Sequence, residues 1–189
     1  MRTLSYYIAS TVDGFIATPD GAADFFPWEG DHNAVMTAEY PETLPTHVAA
    51  AVGLPPSEPR HFDTVLMGRG TYEVVLKEGI RSPYAHLRQY VFSTGLEQQH
   101  PDVEIVPGDP VAKVRELKAQ EGKGIWLCGG GVLAGALREE IDELLVKIYP
   151  IVAGSGIPLF DGEFRATGFR LTAHRVFDSG MAFMTYSRL

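Results

Sequence analysis

Residues 125–136 read IWLCGGGVLAGA: an apolar run of strand length, three glycines, then a helix-forming stretch. A strand that runs through bare glycines into a helix gathers free backbone N–H groups and the positive end of a helix dipole at one point. That arrangement suits a pyrophosphate. It also serves as a tight strand-to-helix turn with no ligand, and the loop alone leaves both readings open. Gly129, Gly131 and Ala134 further satisfy G-x-G-x-x-A, which raises a Rossmann alternative. A Rossmann loop belongs to the first strand–helix–strand unit, with an acid about 20 positions later to hold a ribose. Here the motif starts at residue 129, and the later position falls near Gly154 with no acid beside it. The Rossmann reading fails on both counts.

Working outward, a second strand-to-helix junction lies upstream. DTVLM, 63–67, reads as a buried strand and leads into MGRGTYE, 67–73, with TYEVVLKE as a helix. Gly68 permits a sharp turn and Arg69 then projects from the strand end, where a guanidinium binds phosphate bidentately. Thr71 can cap the helix or donate to a phosphate. A capping turn with a solvated arginine is the plainer reading of this junction. Residues 3–9 and FIAT at 15–18 are strand candidates on either side of the Asp13-Gly14 turn. Residues 31–53 show helical periodicity broken by Pro41 and Pro45, and PPSEP at 55–59 reads as a linker. RQYVFS, 88–93, and VEIV, 103–106, are short strands. Asp109 is placed as an N-cap, with Pro110 at the first helical position. VLAGALREE continues the glycine loop as a helix. The chain closes on ELLVKIYPIVA and on FRLTAHRVF with MAFMTYSRL, the last two joined by an Asp178-Ser179-Gly180 hairpin signal. Alternating strands and helices predict one α/β domain over 1–189. Its central sheet is largely parallel, with helices on both faces and an antiparallel C-terminal hairpin.

Composition excludes several chemistries. The chain of 189 residues carries a formal charge of −8, with lysine and arginine scattered, which argues against a nucleic-acid or anionic membrane surface. No run of 18 apolar residues occurs, and Cys128 is the only cysteine. A cytoplasmic protein without disulfides is the expectation. The histidines at 32, 47, 61, 86, 100 and 174 never fall within five residues of one another, so no paired-histidine metal helix is available. Gly154-Ser155-Gly156 lacks the spacing of a nucleophile elbow.

YYIASTVDGFIA, VLMGRGTYE, VFST, IWLCGGGVLAGAL and IDELLVKIYPIVAGSGIPLF, in that order, resemble the dihydrofolate reductase superfamily. The branch they most resemble contains the reductase domain of the riboflavin-biosynthesis deaminase/reductase and small stand-alone relatives. The resemblance covers nearly the whole chain. It implies that NADPH is the cofactor and that Ala9 and Ile16 flank the nicotinamide. Gly68, Arg69 and Thr71 match the turn that grips NADPH phosphates, with Arg69 for the 2′-phosphate. Ser93 and Thr94 match residues near the adenosine ribose phosphate, and Gly129, Gly130, Gly131, Val132 and Leu133 match the pyrophosphate loop. The Gly129–Gly130 peptide is expected to be cis, and a homodimer acting on a small-molecule substrate is implied.

The departures concern the other half of the site. Folate-reducing members carry an acid soon after a Pro-Trp pair; Pro27-Trp28 is present, but Asp24, Glu29 and Asp31 do not fall in register. The threonine that supports that acid corresponds to Val146, and a tyrosine near the reacting ring to Ala134. Asp31 and Asp13 are the candidate proton donors, with water as an alternative, although Asp13 in an Asp-Gly turn also bonds its own backbone. Trp28 either stacks on a planar substrate or staples a proline-rich loop to the core. The implied activity is hydride transfer from NADPH to a small, heterocyclic substrate; the alternative is a non-catalytic NADPH sensor on the same fold.

Overall fold

The computed structural model describes residues 1–55 and 58–189; Pro56 and Ser57 of the PPSEP linker lie outside the described residues. The apolar runs become the inner strands: β1 (Leu4–Thr11), β3 (Phe62–Gly68), β4 (Arg88–Phe92), β5 (Val103–Val106), β6 (Gly124–Gly129) and β7 (Glu143–Tyr149). They pair in parallel in the order β5-β4-β3-β6-β1-β7. The outer β9 (Phe169–Val176) and β10 (Ala182–Arg188) complete eight strands, with β10 antiparallel to both β7 and β9. Gly180, at φ +83, makes the tight turn between them. Two short strands missed or half-seen in the sequence, β2 (Phe15–Ala17) and β8 (Ile157–Pro158), pair with each other.

Helices cover both faces. Met36 of α1 (Asp31–Glu39) and Tyr72 of α3 (Arg69–Lys77) join Val65, Met67 and Trp126 in one core. On the other face, α4 (Pro110–Lys118) and α5 (Gly131–Ala136) bring Val114, Leu117 and Leu133 against Leu4, Leu66 and Leu127. Full burial of each such leucine stabilises by roughly 1.5–3 kcal/mol. The prolines act where expected: α1 ends before Pro41, a 3-10 turn spans Pro41–Thr43, and α2 (Thr46–Ala51) follows Pro45. Asp109 caps α4 by accepting from the Val111 amide at 2.9 Å.

Two elements are shorter than the sequence predicts. VLAGALREE is helical only to Ala136, because Leu137 and Ile141 are fully buried and turn the chain back into the sheet. The strand ELLVKIYPIVA stops at Tyr149, since Pro150 has no N–H to continue a ladder.

Candidate functional site

β1, β3 and β6 end side by side, and ligands of open α/β sheets bind at such carboxyl ends. A cleft of about 820 Å³ opens there. Ile16, Gly68, Arg69, Thr71, Ser93, Thr94, Gly129, Gly130, Gly131, Val132 and Leu133 all line it, so residues scattered over 118 positions of chain meet in one place. The two glycine turns touch: a Cβ on Gly68 would stand 3.3 Å from the Gly130 nitrogen. Gly129 has φ +144, a conformation reserved for glycine, and the Gly129–Gly130 peptide is cis, as the resemblance implied.

Helices α3 and α5 both begin at this cleft. Their N-caps are Gly68 and Gly130, and neither has a side-chain cap, in contrast to Asp109 on α4. Thr71 lies inside the first turn of α3 and does not cap it, which corrects one of its two sequence readings. Uncapped amides beside glycines, with a guanidinium in reach, form an anion-binding wall. Arg69 Nε donates to Glu73 Oε1 at 2.7 Å, and both side chains are exposed. The guanidinium also faces the 93–95 turn, where a Cβ on Gly95 would stand 3.8 Å from Nη1. Arg69, Ser93 and Thr94 therefore cluster at one end of the cleft. These residues fit a phosphate-rich dinucleotide.

Cys128 also lines the cleft, and burial pushes its thiol up to about 11, so it is protonated at neutral pH and no nucleophile.

A second, smaller pocket of about 120 Å³ lies between α1 and strands β1 and β7. Trp28, His32, Asn33, Tyr7, Tyr40, Tyr149 and Lys147 are among its walls, and no carboxylate of the described residues is. Cys128 on β6 and Lys147 on β7 flank β1 on the face that packs against α1, so the two pockets are neighbours. Ala9 lines neither; it sits on β1 opposite Lys147 in the β1–β7 ladder.

Both candidate proton donors lie elsewhere. Asp13 is exposed and accepts from Thr11 Oγ1 at 2.6 Å and from the Ala153 and Gly154 amides at 3.1 and 2.7 Å. The Thr11 hydroxyl, then the two amides, hold its carboxyl down at about 2, which suits a clamp between two loops and not a proton donor. Being depressed from 3.8, this group favours the folded clamp above its ordinary value and loses that contribution as pH falls through about 2. The Gly154 amide resonance should therefore titrate near that pH, and Asp13→Asn should abolish the transition. Asp31 is also exposed and absent from the small pocket. Its carboxylate accepts from the Asp178 and Ser179 amides at 2.8 and 3.0 Å, closing the β9–β10 turn onto α1. Desolvation raises its pKa, but those amides outweigh it and leave the carboxyl below its ordinary value.

Of the small-pocket walls only Trp28 was singled out in the sequence; Lys147 and His32 are the most consequential of those that escaped it. Lys147 alternates with Leu145 and Tyr149 on the face of β7 turned toward α1, whereas Val146, the position singled out beforehand, points to the opposite face. A lysine inside the apolar run ELLVKIY was the available signal. His32 is buried, with Nδ1 2.9 Å from Ser179 Oγ, and nothing in its local sequence marks it. Ala134 is buried in the core of the α5 face and stays out of both pockets.

The comparisons with known proteins bear on the family and the fold. The chain is 33% identical over 183 residues to the uncharacterized protein YwjB of Bacillus subtilis (strain 168), covering 93% of this chain and 92% of that one. A solved structure from Shewanella sp. PV-4, assigned to riboflavin biosynthesis, superposes with a TM-score of 0.71 at 25% identity, over 100% of this chain and 99% of that one. Dihydrofolate reductase of Enterococcus faecalis, solved with NADP(H) and RAB-propyl, gives a TM-score of 0.65 at 16% identity, over 98% and 96%. The RibD C-terminal domain family matches residues 2–183. The chain therefore belongs to the RibD C-terminal domain family, on a fold shared with dihydrofolate reductase.

Proposed function

We propose that the protein is an NADPH-dependent reductase of a small heterocyclic substrate. One observation carries the reading: two glycine-capped helix starts and Arg69 converge on a cleft of about 820 Å³ that neighbours an aromatic pocket. The glycine loop at 129–133 would hold the pyrophosphate, and Arg69 with Ser93 and Thr94 the 2′-phosphate. Ala9 and Ile16 would flank the nicotinamide, and Trp28 would face the substrate. When bound, the cofactor supplies hydride; the protein supplies position and electrostatics. The same reading includes a homodimer in the cytoplasm, measurable by light scattering, and no nucleic-acid or membrane partner. The test is stopped-flow NADPH oxidation across ribitylaminopyrimidines, flavins and pterins, with tight NADPH binding and substrate-dependent oxidation expected.

The absence of a carboxylate from the small pocket, among the described residues, favours a second reading, a non-catalytic NADPH sensor. NADPH binding without oxidation of any of these compounds would select it. The same absence predicts poor reduction of dihydrofolate, far below the roughly 10 s⁻¹ typical of enzymes. A steady-state rate near that figure would contradict the assignment of the pocket.

Glu73 holds Arg69 across one helical turn. Glu73→Gln should release the guanidinium and remove a nearby negative charge. Titration by cofactor fluorescence should show NADPH binding about two- to threefold tighter, the scale of an exposed pair. An unchanged affinity would mean that Arg69 already turns to the phosphate at no cost.

A further inference from the structure

The small pocket contains a positive charge that no acid among the described residues answers. Lys147 is half-buried on β7, its Nζ 4.4 Å from the centre of the Tyr7 ring, and among the described residues it has no ion-pair partner. The titratable groups that share the pocket walls with it are Tyr7 on β1, His32 on α1, Tyr40 just after α1 and Tyr149 on its own strand, with Cys128 on β6 beyond β1. Burial raises the pKa of all three tyrosines, Tyr40 to about 12, and holds the Cys128 thiol at about 11, so none of these is an anion at neutral pH. An ammonium taken from water without a counterion costs stability, and a methionine would fill the space better. Such residues persist where function needs them.

The pocket also limits what can sit there. Its volume is about 120 Å³. A cavity of roughly 150 Å³ accepts one benzene ring. The space between the aromatic walls is therefore on the scale of a single planar ring.

We propose that Lys147 is the substrate-contacting cation of this protein: its Nζ holds an electron-rich oxygen or nitrogen of a single planar heterocycle and delivers a proton to that atom. The proposal rests on the reading of the neighbouring cleft as the site of a reduced nicotinamide dinucleotide, which is the reductant. As a ring carbon of a C=N or C=O bond gains a hydride, the π pair moves onto the heteroatom and takes the proton from Lys147 Nζ. A neutral amine remains and is reprotonated from solvent. Ala9, the position expected to flank the nicotinamide, is the ladder partner of Lys147, so the lysine springs from backbone adjacent to where the reaction would occur. Desolvation lowers its pKa from 10.5 to about 8, close to a working pH, where a proton donor is most effective.

The test uses the whole protein without cofactor, with orotate, a planar pyrimidine anion, as the probe and tryptophan quenching as the signal. Wild type should bind orotate, Lys147→Met should bind at least tenfold more weakly, and Lys147→Arg should retain part of the affinity. Binding should fade as pH rises through about 8. The ¹⁵Nζ resonance of Lys147 should titrate near that pH and move upward when orotate is bound. A depressed lysine penalises folding most below its folded pKa, so the thermal midpoint of Lys147→Met at pH 7 should equal or exceed that of wild type. Orotate binding that is absent at millimolar concentration, equal in the methionine variant, or without effect on the Nζ titration would overturn the proposal. So would a lower melting point in the variant that accounts for its loss of binding. NADPH is titrated separately: if it fails to bind while orotate binds through Lys147, the reductase reading falls and the pocket assignment stands. NADPH binding without Lys147-dependent orotate binding removes the pocket assignment alone.

Discussion

Gly135→Ala is expected to destabilise the protein by about 3 kcal/mol, the upper end of the usual overpacking range. Gly135 lies in α5, and a Cβ built on it runs directly into the Asp161 carbonyl oxygen. That oxygen belongs to backbone, and its segment is tied to the same helix by the Asp161 amide, which donates to the Gly131 carbonyl at 3.0 Å. Neither side can yield by a rotamer change, so the helix and the β8 segment must separate. For a chain of this length the melting temperature should drop by about 6–12 °C. Gly70→Ala makes the control, since Gly70 sits in α3 with nothing within 4 Å of the added carbon. That change should be neutral or stabilise by up to about 1 kcal/mol through helix propensity. Thermal unfolding followed by circular dichroism separates the two signs; equal melting points would show that the α5–Asp161 contact is not tight.

Arg69→Ala should weaken NADPH about ten- to a hundredfold and leave NADH nearly unchanged. A charge-assisted hydrogen bond to a phosphate contributes roughly 1.5–3 kcal/mol, which converts to that ratio. The position supports selectivity because Arg69 stands with Ser93 and Thr94 at one end of the cleft. The expected loss is confined to the cofactor that carries the extra phosphate. Paired fluorescence titrations with NADPH and NADH decide it. Equal losses for both would move Arg69 to the shared pyrophosphate.

Glycine was legible because its role is local. In IWLCGGGVLAGA and VLMGRGTYE, strand, turn and helix follow one another within a dozen residues, so their order alone indicates where free amides will gather. Asp109 with Pro110 was legible for the same reason, since a cap depends on its immediate neighbours. Asp13 and Asp31 were not. Asp13 keeps a local partner in Thr11, in line with its turn reading. Its contact with Gly154, like that of Asp31 with Ser179, spans more than 140 residues, and no local pattern announces a carboxylate that closes a distant loop. On β7 side chains alternate with period two, so Val146, the position matched by resemblance, faces away from the small pocket and its neighbour Lys147 faces into it.

By itself, the sequence determined the fold class and the absence of paired-histidine and serine-elbow chemistry, because each rests on periodicity or on adjacent residues. The residues named for the large cleft came from the family resemblance, and all but Ala9 line it. Only the tertiary structure decided which side chains the substrate half contains. That half is assembled from β1, the Pro27-Trp28 loop, α1, the turn after it and β7, segments whose approach is set by core packing, and among the described residues they bring Lys147 no counterion.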